Sequence, residues 1–179
     1  MLQDAGVEHN VVRPDVDEST LKSGRSDASE IATQLAKAKA MAVSRSRPSE
    51  WVIGSDSIVS VADRLFDKPS DREEAAKHLR FFSGKSLILT SAVALAKEGV
   101  VDWSHAESAE LAVRPLSDEF VEAYLQAEWP EVGYCVGVFR MEGPGVQLFE
   151  RVEGSHFTIL GMPLIPLLAA LRERRVLPS

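Results

Sequence analysis

The sequence predicts an α/β fold in which helices flank a mixed, twisted sheet. Apolar runs at 51–59 and 87–95 have the length and residue types of buried strands. Between such runs lie segments with apolar residues at helical spacing, and the two kinds of segment alternate along the chain. For 179 residues we expect a single domain over 1–179, arranged as two lobes around one cleft.

The charge and composition argue against several classes of protein. A net charge of −7 argues against binding to nucleic acid polymers or anionic membranes, because both require a basic surface. The single cysteine excludes an intrachain disulfide and suits a reducing compartment. The N-terminus has no apolar signal segment, and the most apolar run, 159–171, is interrupted by two prolines. We therefore expect a soluble cytoplasmic protein with no membrane segment.

The N-terminal part of the chain is predicted to alternate helical and extended segments. Residues 1–6 resemble the end of a helix that Gly6 terminates, and 7–16 resemble an extended segment. A helix is predicted from 29 to about 45. Its N-cap candidates are Ser26 and Asp27, and its apolar stripe is formed by Ile31, Leu35, Ala38 and Ala42.

The middle of the chain is predicted to contain a hairpin, a helix and further strands. Residues 62–64 are polar between apolar runs, as in a hairpin turn. Ser70 and Glu73 have the spacing of a capping box, which predicts a helix from there to about Phe82. The next strand is predicted at 87–95 and is followed by a turn at 98–99. Further strands are expected to extend from there to residue 113.

The C-terminal part is predicted to contain two helices separated by strand and turn. Ser117 is expected to cap a helix over 118–128. Residues 133–149 are predicted to be strand and turn, and Pro163 suits the first turn of the last helix. That helix is expected to bury Leu164, Leu167, Leu168 and Leu171.

An aspartate in the middle of an apolar strand marks a candidate catalytic site. Asp56 follows the apolar residues 51–53 and precedes 58–59. An unpaired carboxylate there would lose its hydration, which costs several kcal/mol or forces protonation. We therefore expect a lysine, a metal ion or both beside Asp56. Lys68, twelve residues further on, is one candidate.

Other charged residues leave two interpretations open on spacing alone. In an extended chain Asp15 and Asp17 lie on one face and Glu18 lies on the other. This arrangement is compatible with a solvated acidic turn or with part of an active site. Lys39 falls at the edge of the predicted apolar stripe, whereas Lys37 points away. An edge lysine is commonly a solvated side chain whose stem covers apolar surface.

Six segments, taken in order, resemble the Maf family of nucleoside triphosphate pyrophosphatases. They are PDVDES at 14–19, LAKAKA at 35–40, GSDSIV at 54–59, DKP at 67–69, Ser-Gly at 83–84 and EGPGVQLFERVEG…GMPLIPLL at 142–168. The resemblance covers nearly the whole chain. It implies a fold like that of inosine triphosphate pyrophosphatase, with a nucleotide in the cleft. It also implies a hydrolase of acid anhydrides, which cleaves between the α- and β-phosphates and releases a monophosphate and pyrophosphate.

The resemblance also implies roles for particular residues. It makes Glu18, Lys39, Asp56 and Lys68 the candidate catalytic residues, and it selects Lys39 over Lys37. Because a triphosphate carries about four negative charges, carboxylates beside it require a divalent cation. Glu18 and Asp56 would hold Mg²⁺ or Mn²⁺, Asp56 would activate water, and the two lysines would neutralise the phosphates. Ser57, next to Asp56, is a candidate substrate-binding residue.

The segment EVGYCVGVFRMEG bears on the choice of base. It is similar to CAGSFKSEG, which the family's 7-methyl-GTP branch carries, rather than to the DKAGAYGIQG of uracil and thymine enzymes. The alignment makes Arg140 and Glu142 candidate substrate-binding residues. A carboxylate accepts hydrogen bonds from guanine N1–H and N2–H₂, which a uracil edge does not offer in the same way. Glu142 capping a turn, and a UTP or dTTP pyrophosphatase, remain the alternatives.

The family's N-terminal strand and its ASxSPRRxxLL loop have no counterpart in this sequence. MLQDAGV matches the family's residues just after that loop, so either the start is assigned too far downstream or the chain is a truncated form. An unpaired sheet edge is then expected. The alternative function is a catalytically weak nucleotide-binding or interaction module linked to cell-division control. A homodimer is implied by the resemblance.

Overall fold

The structure, a computed structural model, describes residues 1–22 and 26–178. The chain forms two compact units, each built from separate stretches of sequence. The first unit contains Met1–Ser57, Thr90–Glu107 and Ser155–Ser179, and the second contains Ile58–Leu89 and Ser108–Gly154. The expectation of a single domain over 1–179 therefore stays a prediction.

Among the described residues the sheet has five strands, in the order β2-β1-β3-β4-β5. Strand β2 pairs antiparallel with β1, and β5 pairs antiparallel with β4. Helices flank this sheet, which confirms the predicted α/β class. The strands are β1 Val52–Val61, β2 Arg64–Phe66, β3 Ser86–Lys97, β4 Val100–Val113 and β5 Phe149–Glu153.

The predicted hairpin after β1 is confirmed. Val61 pairs with Arg64, so that two residues, Ala62 and Asp63, make the turn. Both have positive φ, 49° and 59°. This is the geometry of the tight hairpin turns whose twist matches the twist of the flanking strands.

Two of the long helices begin at side chains that cap them as the sequence suggested. The side chain of Asp27 accepts a hydrogen bond from the Glu30 amide at 2.8 Å, and Ser117 caps its own helix in the same way. Ser117 was predicted to be a cap, and Asp27 was one of two candidates. The helices are α1 Glu18–Lys22, α2 Ala28–Ser46, α3 Arg72–Phe82, α4 Asp118–Glu128, α5 His156–Ile159 and α6 Leu164–Glu173.

Three local predictions were wrong. Helix α3 is capped by Asp71, which accepts from the Glu74 amide at 2.8 Å, while the Glu74 carboxylate accepts from the Ser70 amide at 2.7 Å. The predicted capping box is thus displaced by one residue. Residues 2–6 form turns rather than the end of a helix. The predicted strand and turn over 133–149 contains two 3-10 helices, Glu131–Tyr134 and Pro144–Leu148, before β5 begins.

The core of the first unit lies between helix α6 and strand β3. Apolar side chains of α6 pack against Val93 and Leu95 of β3 and against Val7. Each of these side chains is almost fully removed from water, which contributes most of the stabilisation of a packed core. The buried members of α6 are Leu164, Leu167, Ala170 and Leu171; of the four leucines predicted to be buried, Leu168 is only partly so.

Candidate active site

A lysine of α2 lies between two carboxylates in the first unit. The Nζ of Lys39 donates to Oδ1 of Asp56 at 2.5 Å and lies 2.9 Å from Oε1 of Glu18. The exposed fraction is 18% for the Lys39 side chain and 16% for Asp56. The cation expected beside Asp56 is therefore present, and it is Lys39.

Close packing of α2 against β1 brings these residues together. A Cβ placed on Gly54 would lie 2.4 Å from the carbonyl oxygen of Ala36 and 2.6 Å from the amide of Ala40. Only glycine permits the helix backbone to come this near to the strand. Asp56 is two residues further along the strand, so it lies on the same face and meets Lys39.

Asp17 and Glu18 are adjacent in sequence but have different roles in the structure. The Asp17 carboxylate accepts hydrogen bonds from the Ser19 amide at 3.1 Å and from the Ser19 and Thr20 hydroxyls at 2.6 and 2.7 Å. These bonds lower the pKa of Asp17 to about 2. Asp17 thus caps α1, the helix that the sequence did not predict, and Glu18 begins that helix and turns toward Lys39.

Burial and pairing act in opposite directions on the ionisation of this cluster. Burial raises the pKa of Asp56, although the hydrogen bond and charge of Lys39 oppose the increase. Burial lowers the pKa of Lys39, but the hydrogen bonds to Asp56 and Glu18 outweigh it, and the net pKa is raised. Lys39 therefore stays charged at neutral pH, and its ammonium favours the ionised form of Asp56, against the effect of burial.

The donor set fits a divalent cation that brings other ligands with it. Glu18 and Asp56 offer carboxylate oxygens, the ligands that Mg²⁺ and Mn²⁺ prefer. Within the described part of the chain no three His, Cys, Asp or Glu side chains are grouped so as to hold a metal ion. Mg²⁺ is commonly held by one or two carboxylates together with substrate phosphates and water, and two carboxylates are what this site supplies.

Ser57 belongs to a hydrogen-bonded chain on the opposite face of β1. Its Oγ lies 2.7 Å from Oγ of Ser91, and Ser91 donates to the carbonyl oxygen of Thr158 at 2.8 Å. Ser91 has a single hydroxyl proton, and it is used in the hydrogen bond to that carbonyl. Ser57 is therefore the donor in its hydrogen bond with Ser91. Ser57 in this state can offer only acceptor lone pairs to a ligand.

The chain of hydrogen bonds continues to residues that sequence reasoning missed. The Thr158 hydroxyl donates to Oε2 of Glu107 at 2.6 Å, and Oε1 of Glu107 lies 3.2 Å from Nε2 of His105. Ser91 and Thr158 are fully buried. Ser91 interrupts the apolar strand β3 as Asp56 interrupts β1, and that was the one available signal.

The remaining predicted site residues lie in the second unit. Lys68 is exposed after β2, and its charge, with those of Arg140 and Glu142, acts on the Cys135 thiol. Burial, followed by Glu142, raises the pKa of Cys135, while Lys68 and Arg140 oppose the increase. The structure thus groups Glu18, Lys39 and Asp56 in one unit and Lys68, Arg140 and Glu142 in the other.

Arg140 has a partner that the sequence did not reveal. Its Nη2 lies 3.1 Å from Oε2 of Glu128, whose side chain is only 7% exposed. Glu128 is the last residue of α4. Arg140 is thereby held in place by a nearly buried carboxylate, which also compensates most of its charge.

These features define an α/β protein with a half-buried lysine and carboxylate cluster, suited to holding oxyanions and the cation that accompanies them. The chain belongs to the Maf family: the family described as Maf-like protein matches residues 1–174.

Named relatives cover nearly the whole chain. A protein of Hyphomonas neptunium named nucleoside triphosphate pyrophosphatase is 44% identical over 183 residues, which cover 100% of this chain and 92% of that protein. A protein of Rhizobium etli named 7-methyl-GTP pyrophosphatase is 42% identical, covering 97% of this chain and 89% of its own length. A protein of Rhodopseudomonas palustris that carries the first of these names is 41% identical over 99% of this chain and 89% of its own length.

Over the residues that the structure describes, no helix is both long and apolar enough to cross a bilayer.

Proposed function

We propose that this chain is a nucleoside triphosphate pyrophosphatase that hydrolyses the bond between the α- and β-phosphates and releases a monophosphate and pyrophosphate. The observation that carries the proposal is the contact of Lys39 with both Glu18 and Asp56. That cluster lies in a chain 44% identical to a relative with this name. The names of the relatives do not favour the alternative of a catalytically weak module.

Three residues of the first unit have roles that their charges dictate. Asp56, acting as its carboxylate, is the group that orients the attacking water and accepts its proton. Lys39 neutralises charge on the phosphates as it moves toward the leaving pyrophosphate. Glu18 and Asp56 supply the protein ligands for Mg²⁺ or Mn²⁺, which when bound would compensate phosphate charge and acidify water.

The second unit carries the proposed recognition of phosphate and base. Lys68 has an exposed ammonium that we assign to a phosphate, and Arg140 is positioned by Glu128. The exposed Glu142 carboxylate can accept hydrogen bonds from a guanine edge. A methylated N7 leaves positive charge on the base, which an acidic side chain favours. We therefore propose 7-methyl-GTP as the preferred substrate and UTP or dTTP as poor ones.

The test is release of pyrophosphate from 7-methyl-GTP, GTP, UTP and dTTP with Mg²⁺ or Mn²⁺. Asp56→Asn should lower kcat by about 10²–10³ while nucleotide binding persists, because it removes a group needed in the transition state. Asp63→Asn changes an exposed carboxylate in the hairpin turn and is the matched control. Equal rates for Asp56→Asn and the unchanged chain would remove Asp56 from the mechanism. Absence of turnover on all four nucleotides would overturn the proposed function.

We further infer a cytoplasmic location and a homodimer from the family resemblance. The single cysteine also suits the reducing cytoplasm. Sedimentation equilibrium of the purified chain measures the oligomer directly. A monomer across micromolar concentrations would contradict the dimer.

A further inference from the structure

We propose that Lys39 occupies the cation position of the nucleotide-free chain, so that Glu18 and Asp56 become available to a divalent metal only when nucleotide phosphate draws the ammonium away. The inference rests on the proposed function in taking these two carboxylates as the metal ligands. It predicts that metal and nucleotide bind cooperatively and that free metal binds weakly.

The distances show why the ammonium and a metal ion exclude each other. Nζ of Lys39 lies 2.5 Å from Oδ1 of Asp56 and 2.9 Å from Oε1 of Glu18, so it sits between the two oxygens. A Mg²⁺ ion bound to the same oxygens would lie about 2.0–2.1 Å from each. The two cations would then be almost in contact, and their repulsion in a half-buried site is far stronger than in water.

Charge compensation favours the same exchange. Lys39 and the two carboxylates together carry one net negative charge. If a divalent ion took both carboxylates, Lys39 would lose its acceptors while only 18% exposed, and an uncompensated ammonium in that environment is costly. A triphosphate removes this cost, because its oxygens accept hydrogen bonds from Lys39 and also ligate the metal.

The surroundings leave the lysine room to move. Lys39 lines a cavity of about 640 Å³ within the first unit. The cavity is bounded by the extended N-terminal segment, by Trp51 and by the start of β1, including Ser55. The ammonium can therefore leave the carboxylates by rotation of its own side chain, with no displacement of α2 required.

Binding of Mn²⁺ to the metal-free protein tests the inference without any turnover. Free Mn²⁺ would be followed by electron paramagnetic resonance at pH 8, first without nucleotide. Lys39→Met removes the charge and keeps an unbranched apolar side chain, so it should bind Mn²⁺ about tenfold tighter or more, within the usual range of coupling between sites. Lys37→Met removes a lysine from the same helix but outside the cluster, and it should bind Mn²⁺ as the unchanged chain does.

A second titration includes an α,β-methylene nucleotide analogue, which cannot be cleaved. The analogue should tighten Mn²⁺ binding strongly in the unchanged chain. It should do so much less in Lys39→Met, because that variant has no ammonium to exclude the ion from the carboxylates. Adding Glu18→Gln to Lys39→Met should abolish the gain seen without nucleotide, which would place the ion on the carboxylates. Lys39→Arg keeps a cation at this position and should bind free Mn²⁺ no more tightly than the unchanged chain.

Two results would overturn the inference. One is a folded Lys39→Met variant that binds free Mn²⁺ no tighter than the unchanged chain. The other is a higher Mn²⁺ affinity in Lys39→Met that persists when Glu18→Gln is added to it. Circular dichroism establishes that each variant is folded. If no nucleotide is hydrolysed but the Lys39→Met gain appears, the proposed function fails and the exclusion of metal by Lys39 stands.

Discussion

The hydroxyl of Thr158 and the carboxylate of Glu107 form a 2.6 Å hydrogen bond that joins helix α5 to strand β4. The Thr158 carbonyl accepts from Ser91, and Ser91 in turn accepts from Ser57, the neighbour of Asp56. The bond between Ser91 and Thr158 is buried, so the chain stabilises one arrangement of these residues. These hydrogen bonds hold β1 on the face of Ser57, and α2 packs on the other face, at Gly54 and Asp56.

A double-mutant cycle on this pair should reveal a favourable coupling. Thr158→Val removes the hydroxyl at nearly constant volume and Glu107→Ala removes the acceptor, and each should lower the free energy of unfolding by about 1–3 kcal/mol. The double variant should lose less than the sum of the two losses. Urea unfolding measures all four proteins. Strict additivity would show that the hydrogen bond contributes nothing, and Glu107→Gln, which keeps an acceptor, is the conservative control.

Gly54→Ala should damage both stability and the site. The added methyl group would lie 2.4 Å from the Ala36 carbonyl oxygen, so α2 must move away from β1. We expect a loss of about 1–3 kcal/mol in unfolding free energy, as for other overpacked cores, and a large fall in turnover. The cause of that fall would be separation of Lys39 from Asp56. Ser55→Ala, one residue along on the opposite face, should cost much less, and equal costs would contradict the close-packing explanation.

His78 should make folding stability depend on pH. The ring is 9% exposed, packs on Phe66 with centroids 5.0 Å apart, and its Nδ1 has no hydrogen-bond partner among the described residues. Burial lowers the pKa of His78; Glu74 and Asp67 oppose this and Arg64 reinforces it. Because the unfolded chain then binds the proton more readily, stability is full above the ordinary pKa of 6.5 and falls as pH drops below it.

Replacement of His78 tests that slope. His78→Phe should raise the unfolding free energy at pH 5 by about 1 kcal/mol and flatten the change between pH 7 and pH 5, because it removes an unsatisfied buried group. Urea unfolding at several pH values gives both quantities. His156→Phe alters an exposed histidine and should leave the slope unchanged. An unaltered slope in His78→Phe would show that other groups cause it.

Replacement of Arg140 should lower the free energy of unfolding more than replacement of a surface arginine does. Arg140→Met would leave the Glu128 carboxylate, which is 7% exposed, without its charged partner. We expect a loss of about 1–3 kcal/mol in unfolding free energy and weaker nucleotide binding. Arg151→Met removes an arginine that is 61% exposed and should cost less than about 1 kcal/mol, because exposed ion pairs are weak. Similar losses in the two variants would show that burial of Glu128 does not matter.

The sequence predicted the need for a cation beside Asp56, but residue spacing could not choose the cation. That choice depends on how closely α2 packs on β1, and Gly54 decides it through tertiary contacts. The family resemblance selected Lys39, which the structure places on Asp56. Whether Lys68 shares that role stays a prediction.

Other features could not be predicted because their cause is not periodic. Helix α1 has five residues, too few for an apolar stripe, and the Asp17 side chain defines its start. Residues 133–149 contain apolar residues typical of strands, yet 3-10 helices form at both ends of the range. Their amides bond to nearby carbonyls, such as Gly133 to Pro130 at 2.9 Å. Hydrogen bonds of this local kind leave no signal in hydrophobic periodicity.

The contact of Gly54 with α2 also limits how this sequence can drift. Every amino acid other than glycine carries a Cβ, and here that atom would meet helix backbone, which cannot rotate aside as a long side chain can. Position 54 therefore resists substitution although glycine has no functional group of its own. Mutations at Gly54 would be eliminated for a steric reason, and no catalytic assay of Asp56 would reveal that reason.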